Sequence, residues 1–508
     1  MIDEWGGFGR PLFEDAAAMG LGRVGVIDVG SNSVRLVVFD GAARSPAYFY
    51  NEKIMCALGA GLSETGHLSP EGRKRAVSAI RRFAALARGM GIAPLTAVAT
   101  AAVREARDGE EFCREVLSET GIRVWVIDGR EEARLSAQGV LLGWPGSYGM
   151  VCDIGGSSME LADIDNGQVG HRVTSALGPL KLREIKGGKK AVKSYIKDTM
   201  TELHDQMGGV TGQRLFLVGG SWRAIARIDM ERRGYPLHVL HEYRMTAREI
   251  SKTAEYIAGS DLDALRDRCG ISSSRMALVP LAILVLKALM RRFKPKDIAV
   301  SSYGIREGML YEKMPQELRD RDPLIEACRF AEAKDARLPG FGKVLYDFVI
   351  PLFPRAGWQR KRIIKAACLL HDVNWRDHPD YRGEVTFDYA TRANLGGLKH
   401  SERVFLGLAL YHRYTSKQTT RHAPQEALLD AVRLQEAEVL GRAMRLGAML
   451  WVNADQAPGR IKWKPKKREL TLHLTEASRP LFGEVAEARL ASLTDALDAT
   501  SKVKFAKS

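Results

Sequence analysis

The chain has 508 residues, of which 45% are hydrophobic and 27% are charged, so it is too long for a single hydrophobic core and too apolar for a largely disordered protein. Its formal net charge of +15 attracts polyanions such as nucleic acid, anionic lipid or a phosphate polymer, without choosing among them. The six cysteines include no Cys-x-x-Cys pair, which is typical of reduced cysteines in a cytosolic protein.

No segment of the sequence has the pattern of a membrane anchor or a secretory signal. The most apolar run, residues 276–290, is short for a membrane span and contains Pro280 and Lys287, so it predicts a buried helix. Residues 1–21 carry several acidic side chains and have no apolar core, and we interpret them as an N-terminal extension. We expect a cytoplasmic protein that contacts no membrane.

One sequence pattern occurs twice. Residues 26–37 read VIDVGSNSVRLV and residues 151–162 read VCDIGGSSMELA, so that Asp28 aligns with Asp153. Each copy is an apolar run ending in Asp, then a tight turn of Gly, Ser or Asn, then a second apolar run. This pattern is typical of a β-hairpin.

Alternating helix and strand signals follow each hairpin. After the first copy they predict helices starting at Pro70, over 110–119 and over 129–142, with strands over 95–100 and 122–128. After the second copy they predict a helix over 189–207, strands over 214–220 and 297–303, and a helix from Arg306. The pattern predicts an α/β fold with two lobes, residues 22–140 and 141–314, separated by a cleft.

The pattern changes after about residue 315. Helical signals dominate, over residues 342–353, 360–371, 402–411 and 425–451, and only residues 469–474 alternate like a strand. We therefore expect residues 315–508 to form a mostly helical region with a small C-terminal α/β element.

The two hairpin turns are candidate phosphate cradles. Small residues let backbone N–H groups and hydroxyls point into one concavity, which makes an anion nest. The predicted phosphate-binding residues of the turns are Ser31, Asn32, Ser33, Gly155, Gly156, Ser157 and Ser158. Asp28, Asp153 and Glu160 lie on the adjoining strands, and carboxylates beside phosphate oxygens are what Mg²⁺ requires.

Three further segments carry candidate site residues. Glu131 begins a predicted helix between the two halves, where a carboxylate can take a proton from water or simply stabilise the helix dipole. Arg104 follows a strand and has the forked donors that suit phosphate. Gly220 and Ser221 join a strand to a helix, which is a further anion-binding arrangement.

At this point the motifs resemble those of the exopolyphosphatase/guanosine pentaphosphate phosphohydrolase family, a branch of the actin-like, sugar-kinase-like superfamily. The matching stretches are IDVGSNSVRLVV, LGAGL, ATAAVREA, DGREEARLSAQGV, DIGGSSMEL, LGPLKL, LVGGSWRAIARI and SYGIREGML, in family order over about residues 24–314. One departure is Ser157, which replaces a glycine of the second turn.

The resemblance implies two ribonuclease-H-like lobes and removal of the terminal phosphate of inorganic polyphosphate. It implies that Glu131, the first glutamate of the Gly-x-Glu-Glu-Ala-Arg motif, is the catalytic base. It also implies that Asp28, Asp153 and Glu160 hold Mg²⁺, or Mn²⁺ in its place, and that Arg104 contacts phosphate.

The C-terminal region resembles a helical HD-type domain. The residues that carry this resemblance are His371, Asp372, His400, His412 and Asp455. Metal-binding HD hydrolases also use an upstream histidine, and the sequence has none between residue 315 and His371. We therefore expect a scaffold without a catalytic metal.

The sequence leaves several functions open. The alternatives to exopolyphosphatase activity are hydrolysis of guanosine pentaphosphate, and a polyphosphate- or nucleotide-sensing protein with weak catalysis. An ATP-dependent kinase is disfavoured because we find no second substrate site. Four basic runs, over residues 186–193, 291–296, 359–362 and 462–468, suggest a track for a polyanion. We expect polyphosphate as this polyanion, no nucleic-acid partner, and a homodimer.

Overall fold

The computed structural model describes residues 22–40, 44–92, 95–416, 419–450 and 459–506. The described chain divides into two compact units, with the boundary between Asp320 and Arg321. The predicted N-terminal extension and Asp455 lie outside the described residues. Within the described ranges, no helix is both long enough and apolar enough to cross a membrane.

The N-terminal unit contains two mixed β-sheets. The strands of the first sheet are β1 (Val24–Val29), β2 (Ser33–Phe39), β3 (Tyr48–Met55), β4 (Thr96–Ala99) and β5 (Val124–Val126). Those of the second are β6 (Gly149–Ile154), β7 (Met159–Asp165), β8 (Gln168–Ser175), β9 (Arg214–Val218), β10 (Tyr243–Arg244) and β11 (Asp297–Val300). The mixed α/β fold predicted for this part of the chain is confirmed.

The repeat seen in the sequence extends to the topology of the sheets. The strand orders are β3-β2-β1-β4-β5 and β10-β11-β9-β6-β7-β8. In each sheet the predicted hairpin pairs antiparallel, its second strand pairs antiparallel with a third, and its first strand pairs parallel with the next strand. The third strands, β3 and β8, were not predicted because they are largely exposed edge strands without apolar alternation.

Helices surround these sheets. They are α1 (Leu62–Thr65), α2 (Pro70–Gly89), α3 (Ala101–Glu105), α4 (Gly109–Thr120), α5 (Gly129–Gly143), α6 (Pro179–Glu184), α7 (Gly188–Gln206), α8 (Gly220–Arg233), α9 (Ala247–Gly259), α10 (Leu262–Cys269), α11 (Ser273–Met276), α12 (Val279–Phe293), α13 (Ile305–Lys313) and α14 (Gln316–Arg319). The start of α2 is as predicted, because the side chain of Ser69 accepts a hydrogen bond from the N–H of Gly72 at 3.2 Å.

Helices α5 and α13 pack closely because glycines remove the side chains between them. A Cβ added to Gly139 would lie 2.2 Å from the carbonyl oxygen of Gly304, and one added to Gly308 would lie 1.8 Å from that of Leu135. Close backbone contact of this kind fixes the two helices firmly against each other.

The C-terminal unit is mostly helical, as predicted. Its helices are α15 (Pro323–Asp335), α16 (Phe341–Val349), α17 (Trp358–Leu370), α18 (Arg382–Arg392), α19 (His400–Tyr414), α20 (Ala423–Glu426), α21 (Ala431–Leu450) and α22 (Glu484–Leu497). Short 3₁₀ helices occupy Ile350–Leu352, Pro465–Lys467 and Glu476–Leu481. The helix predicted over 425–451 is two helices, since Asp430 starts a new one by accepting a hydrogen bond from the N–H of Arg433 at 2.8 Å.

The predicted small β element is a three-stranded sheet. Its strands are β12 (Arg460–Lys464), β13 (Glu469–Thr475) and β14 (Thr500–Ala506), in the order β12-β13-β14. Only β13 was predicted. Strands β12 and β14 also alternate, lysine or arginine with single apolar residues, so the period-two signal of these two strands was missed.

Candidate active site

The two predicted hairpin turns have the same closing hydrogen bond. The N–H of Gly30 donates to the carbonyl of Ser33 at 3.0 Å, and the N–H of Gly155 donates to that of Ser158 at 3.0 Å. Ser157 is not among the described residues with positive φ, so its backbone conformation tolerates the side chain that replaces the usual glycine. The turns are therefore built alike, as the sequence repeat predicts.

A neighbouring loop supports each turn. In the first turn, the N–H of Gly59 donates to the carbonyl of Ser31 at 2.8 Å, and the carbonyl of Asn32 accepts from the N–H of Cys56 at 3.0 Å. In the second, a Cβ on Gly178 would lie 2.4 Å from the carbonyl oxygen of Gly156. These contacts place the LGAGL and LGPLKL motifs against the turns.

A buried pair of carboxylates lies beside the second turn. Asp153 and Glu160 are directly opposite each other in the antiparallel pair β6–β7, and they are 8% and 1% exposed. Burial and then the charge of Asp153 raise the pKa of Glu160 to about 8. Burial also raises the pKa of Asp153, against the hydrogen bond that Asp153 accepts from Ser136.

The equivalent positions of the first hairpin carry opposite charges. Asp28 lies across the β1–β2 pair from Arg35, and Arg306 Nη1 lies 3.9 Å from the Asp28 carboxylate. Burial raises the pKa of Asp28, and the nearby arginines Arg306 and Arg35 act to lower it. In the first hairpin, arginines therefore balance the negative charge of Asp28. In the second, two acids lie opposite each other.

The two glutamates at the start of α5 point in different directions. Glu131 is partly exposed and forms a two-pronged ion pair with Arg134, at 2.5 and 2.8 Å. Arg134 also binds Glu312 on α13 at 2.8 Å. Glu132 is 6% exposed, and burial, followed by the charges of Glu160 and Asp153, raises the pKa of Glu132 well above its ordinary value.

Glu132 is thus the motif glutamate that lies with the buried acids. Its Oε2 atom is 3.8 Å from Arg104 Nη1, and Arg104 also donates to the carbonyl of Ile127 at 2.7 Å. Helical periodicity is a signal for this orientation, because Glu132 shares the buried face of α5 with Ser136 and Gly139, whereas Glu131 and Arg134 lie on the more exposed face.

Arginines face these acids from segments distant in the sequence. Arg223 lies among the charges that act on Asp153, and Arg306 acts on both Asp153 and Asp28. A Cβ on Gly220 would lie 1.6 Å from Arg275 Nη1, so the Arg275 guanidinium covers the start of α8. Burial, followed by the charge of Arg306, lowers the pKa of Arg223 to about 10. We did not predict these three arginines from the sequence.

The glycines before α8 are required by the geometry of the site. Gly219 has φ of +111°, and a Cβ there would lie 3.0 Å from Asp153 Oδ1. Ser221 is buried at the first turn of α8, with Trp222 fully buried behind it. The predicted residues Gly220 and Ser221 are therefore next to the carboxylate pair.

Two buried carboxylate oxygens of this site have no hydrogen-bond partner, Oε2 of Glu132 and Oε2 of Glu160. Oε1 of Glu160 accepts a hydrogen bond from Thr174 at 3.2 Å. Such unpaired buried oxygens fit a bound cation, and Mg²⁺ uses few protein ligands when phosphate oxygens supply the others. Within the described ranges, no three His, Cys, Asp or Glu side chains are grouped as a metal centre.

The predicted HD-type residues lie in the C-terminal unit. His371 is buried, its Nδ1 is 2.8 Å from the carbonyl of Cys368, and burial lowers its pKa to about 4. Asp372 accepts two hydrogen bonds from the Arg337 guanidinium, at 2.6 and 2.8 Å, and one from the Arg337 N–H at 3.3 Å. His400 and His412 lie on α19. The Arg337 guanidinium thus binds the Asp372 carboxylate that a metal ion would need as a ligand.

Comparison with known protein families assigns the chain to a family. Residues 37–317 match the Ppx/GppA phosphatase family, and residues 334–505 match the exopolyphosphatase C-terminal family. The chain belongs to the Ppx/GppA phosphatase family.

Relatives within and around the Ppx/GppA family carry different names. The chain is 25% identical over 487 residues to Retrograde regulation protein 2 of Saccharomyces cerevisiae, covering 86% of this chain and 81% of that protein. It is 28% identical over 311 residues to Exopolyphosphatase 1 of Mycobacterium leprae, covering 58% and 90%. It is 24% identical over 415 residues to a guanosine-5'-triphosphate,3'-diphosphate pyrophosphatase of Aliivibrio fischeri, covering 78% and 82%.

A solved structure has the same fold as the Ppx/GppA part of the chain. It is an exopolyphosphatase from Cytophaga hutchinsonii, with a TM-score of 0.53 at 22% sequence identity, and it covers 58% of this chain and 98% of its own. At this identity the match establishes the fold.

Proposed function

We propose that this member of the Ppx/GppA family is an exopolyphosphatase, which hydrolyses the terminal phosphoanhydride bond of inorganic polyphosphate and releases orthophosphate. The observation that carries the proposal is the buried group of Glu132, Asp153 and Glu160, faced by Arg104, Arg223 and Arg306. Acids suit a base and a metal, and guanidiniums suit phosphoryl oxygens. The names of the mycobacterial and Cytophaga proteins support the same activity.

Glu132, rather than the predicted Glu131, is the residue that we propose as the base. Glu131 is held by Arg134, whose pair with it is bidentate, so its carboxylate is committed to an ion pair. Glu132 is buried beside the other acids with a raised pKa, and a raised pKa makes a carboxylate a better proton acceptor at neutral pH. Glu132 would take the proton of the water that attacks the terminal phosphorus.

Asp153 and Glu160, with Asp28 nearby, are the residues that would hold Mg²⁺, or Mn²⁺ in its place. The unpaired Oε2 atom of Glu160 and the like-charged pair that it forms with Asp153 fit a divalent cation. A bound cation would supply neutralisation of phosphate charge at this position. The protein residues themselves orient the phosphate chain between the turns and the arginines.

Hydrogen-bond donors of the protein would stabilise the remaining negative charge of the transition state. Phosphoryl transfer is accelerated chiefly by positioning and electrostatic stabilisation. Arg223 and Arg306, the two glycine-rich turns and Arg104 offer these donors. We propose that the two sheets belong to two actin-like lobes whose cleft closes on the substrate.

The solvent face of the C-terminal sheet supports a polymeric substrate. Cross-strand rows place Arg460 beside His473 and Lys504, and Lys462 beside Thr471 and Lys502. Each row thus has a cation on both outer strands, and a polyanion lying across the rows releases counterions. Glu469 is the acid of this face, and it pairs with Lys464 and Lys502.

We propose that the C-terminal unit is an HD-like scaffold without catalytic metal, because the Arg337 guanidinium binds the Asp372 carboxylate.

A cytoplasmic homodimer is the assembly that we propose for the protein.

Hydrolysis of guanosine pentaphosphate is the second candidate. The Aliivibrio relative matches over 78% of this chain, and the chemistry at the terminal phosphate is the same. The yeast relative matches over 86% of the chain, and its name describes regulation; a sensing role with weak catalysis is therefore a third candidate.

A phosphate-release assay with long-chain polyphosphate, guanosine pentaphosphate and ATP in parallel tests the proposal. We expect the highest kcat/KM for polyphosphate. Preferential release from guanosine pentaphosphate would replace the proposal with the second candidate, and no release from any substrate would favour the sensing role.

A further inference from the structure

Three helices of the C-terminal unit meet beside the crossing of α19 and α21. A Cβ on Gly441 would lie 2.4 Å from the Cβ of His412 and 2.5 Å from the carbonyl oxygen of Ala409, so α19 and α21 are in close contact there. Helix α22 joins them because Arg442 Nη1 donates to the carbonyl of Ser492 at 2.6 Å. The residues next to these contacts therefore lie close to one another.

Each of the three helices carries an arginine at this position. Arg413 follows His412 on α19, Arg445 lies one turn after Arg442 on α21, and Arg489 lies one turn before Ser492 on α22. All three are half-buried. We call these residues the arginine triad.

Within the described ranges, no acid forms an ion pair with the triad. Among the residues that the structure describes, none forms a hydrogen bond or an ion pair with Arg413, Arg445 or Arg489. The Nε atoms of Arg413 and Arg489 are buried and unpartnered, and the recorded contact of Arg413 is with the ring of Tyr414 at 5.0 Å.

The nearest carboxylates are engaged elsewhere. Glu438 pairs with Arg442, and Asp372 accepts three hydrogen bonds from Arg337, two of them from the guanidinium. Burial, followed by the charges of Arg489, Arg413 and Arg442, lowers the pKa of Arg445 to about 10. The charge of Asp372 acts on Arg413 but is shared with Arg337, so the mutual repulsion of the three arginines destabilises the folded unit.

Arginines often lay their stems on apolar surface and keep their charged ends in water. That explanation accounts for one half-buried arginine on one helix. It does not account for three half-buried arginines on three helices, when the nearby acids Glu438 and Asp372 are paired with other cations. Planar guanidiniums that approach from several directions match the oxygens of a tetrahedral oxyanion.

We propose that Arg413, Arg445 and Arg489 form a binding site for a phosphate-class oxyanion within the C-terminal unit. The ligand is orthophosphate or the phosphate group of a larger compound, since both present the same oxygens. The site lies in the C-terminal unit, whereas the residues of the candidate active site all precede Asp320 in the sequence. It does not depend on the proposed polyphosphatase activity.

Hydrogen–deuterium exchange of the full-length protein, followed by mass spectrometry, tests the site locally. Orthophosphate should slow exchange in peptides from α19, α21 and α22, whereas chloride at equal ionic strength should not. Exchange measured with pyrophosphate and with sulfate identifies the kind of ligand. Protection by sulfate would assign a general oxyanion site, and protection at a lower concentration of pyrophosphate than of orthophosphate would assign a larger phosphate compound. Equal protection by chloride, or none by millimolar orthophosphate, would overturn the proposal.

The variant R445Q tests the contribution of one arginine of the triad. R392Q is its control, because Arg392 is exposed and pairs with Asp388 at 3.0 Å. Losing one charge-assisted contact should raise the orthophosphate concentration needed for protection by about tenfold or more. Without ligand, R445Q should have a higher Tm than wild type, since a like charge has been removed. An R445Q protein with a lower Tm and unchanged protection would assign Arg445 a purely structural role. R489Q repeats the test should R445Q not fold.

Discussion

Asp153 lies directly opposite Glu160 on β6 and β7, at the positions where the first hairpin places Asp28 opposite Arg35. The repeat has therefore kept one acid in both hairpins and replaced the cation of the first by a second acid. Two buried acids in register repel each other, and a divalent cation relieves that repulsion. This difference gives the two otherwise similar turns different roles.

Substitution of the two motif glutamates distinguishes the proposed base from its neighbour. Glu132→Gln should lower kcat by roughly 10²- to 10⁴-fold, because that is the usual contribution of a general base. Glu131→Gln should lower kcat by less than about tenfold, since it removes one partner of an exposed ion pair. Phosphate release at saturating polyphosphate measures both.

Glu131→Gln also serves as the matched control, with the same change of charge one residue away. The reverse order of the two rates would return the catalytic role to Glu131, as first predicted. Binding of polyphosphate to both variants should remain measurable, which separates loss of catalysis from loss of the fold.

The proposed metal residues should change the magnesium dependence as well as the rate. Asp153→Asn and Glu160→Gln each remove one negative charge from the pair, so half-maximal activity should require a higher concentration of Mg²⁺. A magnesium titration of phosphate release measures the shift. An unchanged titration midpoint in both variants would exclude these residues as ligands.

Glu160 should also make the stability of the metal-free protein depend on pH. The pKa of Glu160 is about 8 in the folded protein, whereas its ordinary value is 4.5. Between these two pH values the folded state keeps a proton that the unfolded state loses. The free energy of unfolding should therefore fall as pH rises across this window. Urea denaturation in chelator, at intervals from about pH 5 to about pH 8, measures the slope.

Glu160→Gln removes the titrating group, so its slope over the same window should be shallower than that of wild type. Added Mg²⁺ should flatten the wild-type slope, because it favours the ionised pair. Equal slopes in the two proteins would mean that Glu160 titrates near its ordinary pKa.

The hairpins and most of the first helices were predictable because their signals are local. Ser69 and Pro70 mark the start of α2 in the sequence itself, and each hairpin turn is closed within four residues. Edge strands such as β3 carry no periodic signal, so only their pairing reveals them.

The site was predictable in part for the same reason. Asp153 and Glu160 belong to one hairpin, so their register follows from the turn. Arg223, Arg275 and Arg306 come from three separate segments, and their convergence depends on how the sheets and helices pack. The orientation of Glu132 follows from the face that α5 buries, which the motif alone does not state.

The packing of α5 on α13 predicts a position that tolerates no side chain. Gly308→Ala would place a Cβ 1.8 Å from the carbonyl oxygen of Leu135, so the helices must separate, at a cost of about 1–3 kcal/mol or more. Gly89→Ala is the control, because nothing lies within 4 Å of an added Cβ there. Urea denaturation of both variants measures the difference, and equal stability would mean that the two helices shift freely.

The basic face of the C-terminal sheet predicts a dependence on chain length. Lys462→Gln combined with Lys504→Gln should raise KM for long polyphosphate more than for short chains, with kcat unchanged, because only uniform binding is lost. Each neutralised phosphate contact releases counterions, so the affinity of wild type for long chains should fall steeply with added salt and that of the variant less steeply. Lys74→Gln combined with Lys252→Gln, both exposed and outside the four basic runs, controls for the change in net charge. If long and short chains are affected equally, the sheet face does not bind the polymer, and hydrolysis of a compact nucleotide such as guanosine pentaphosphate becomes the better assignment.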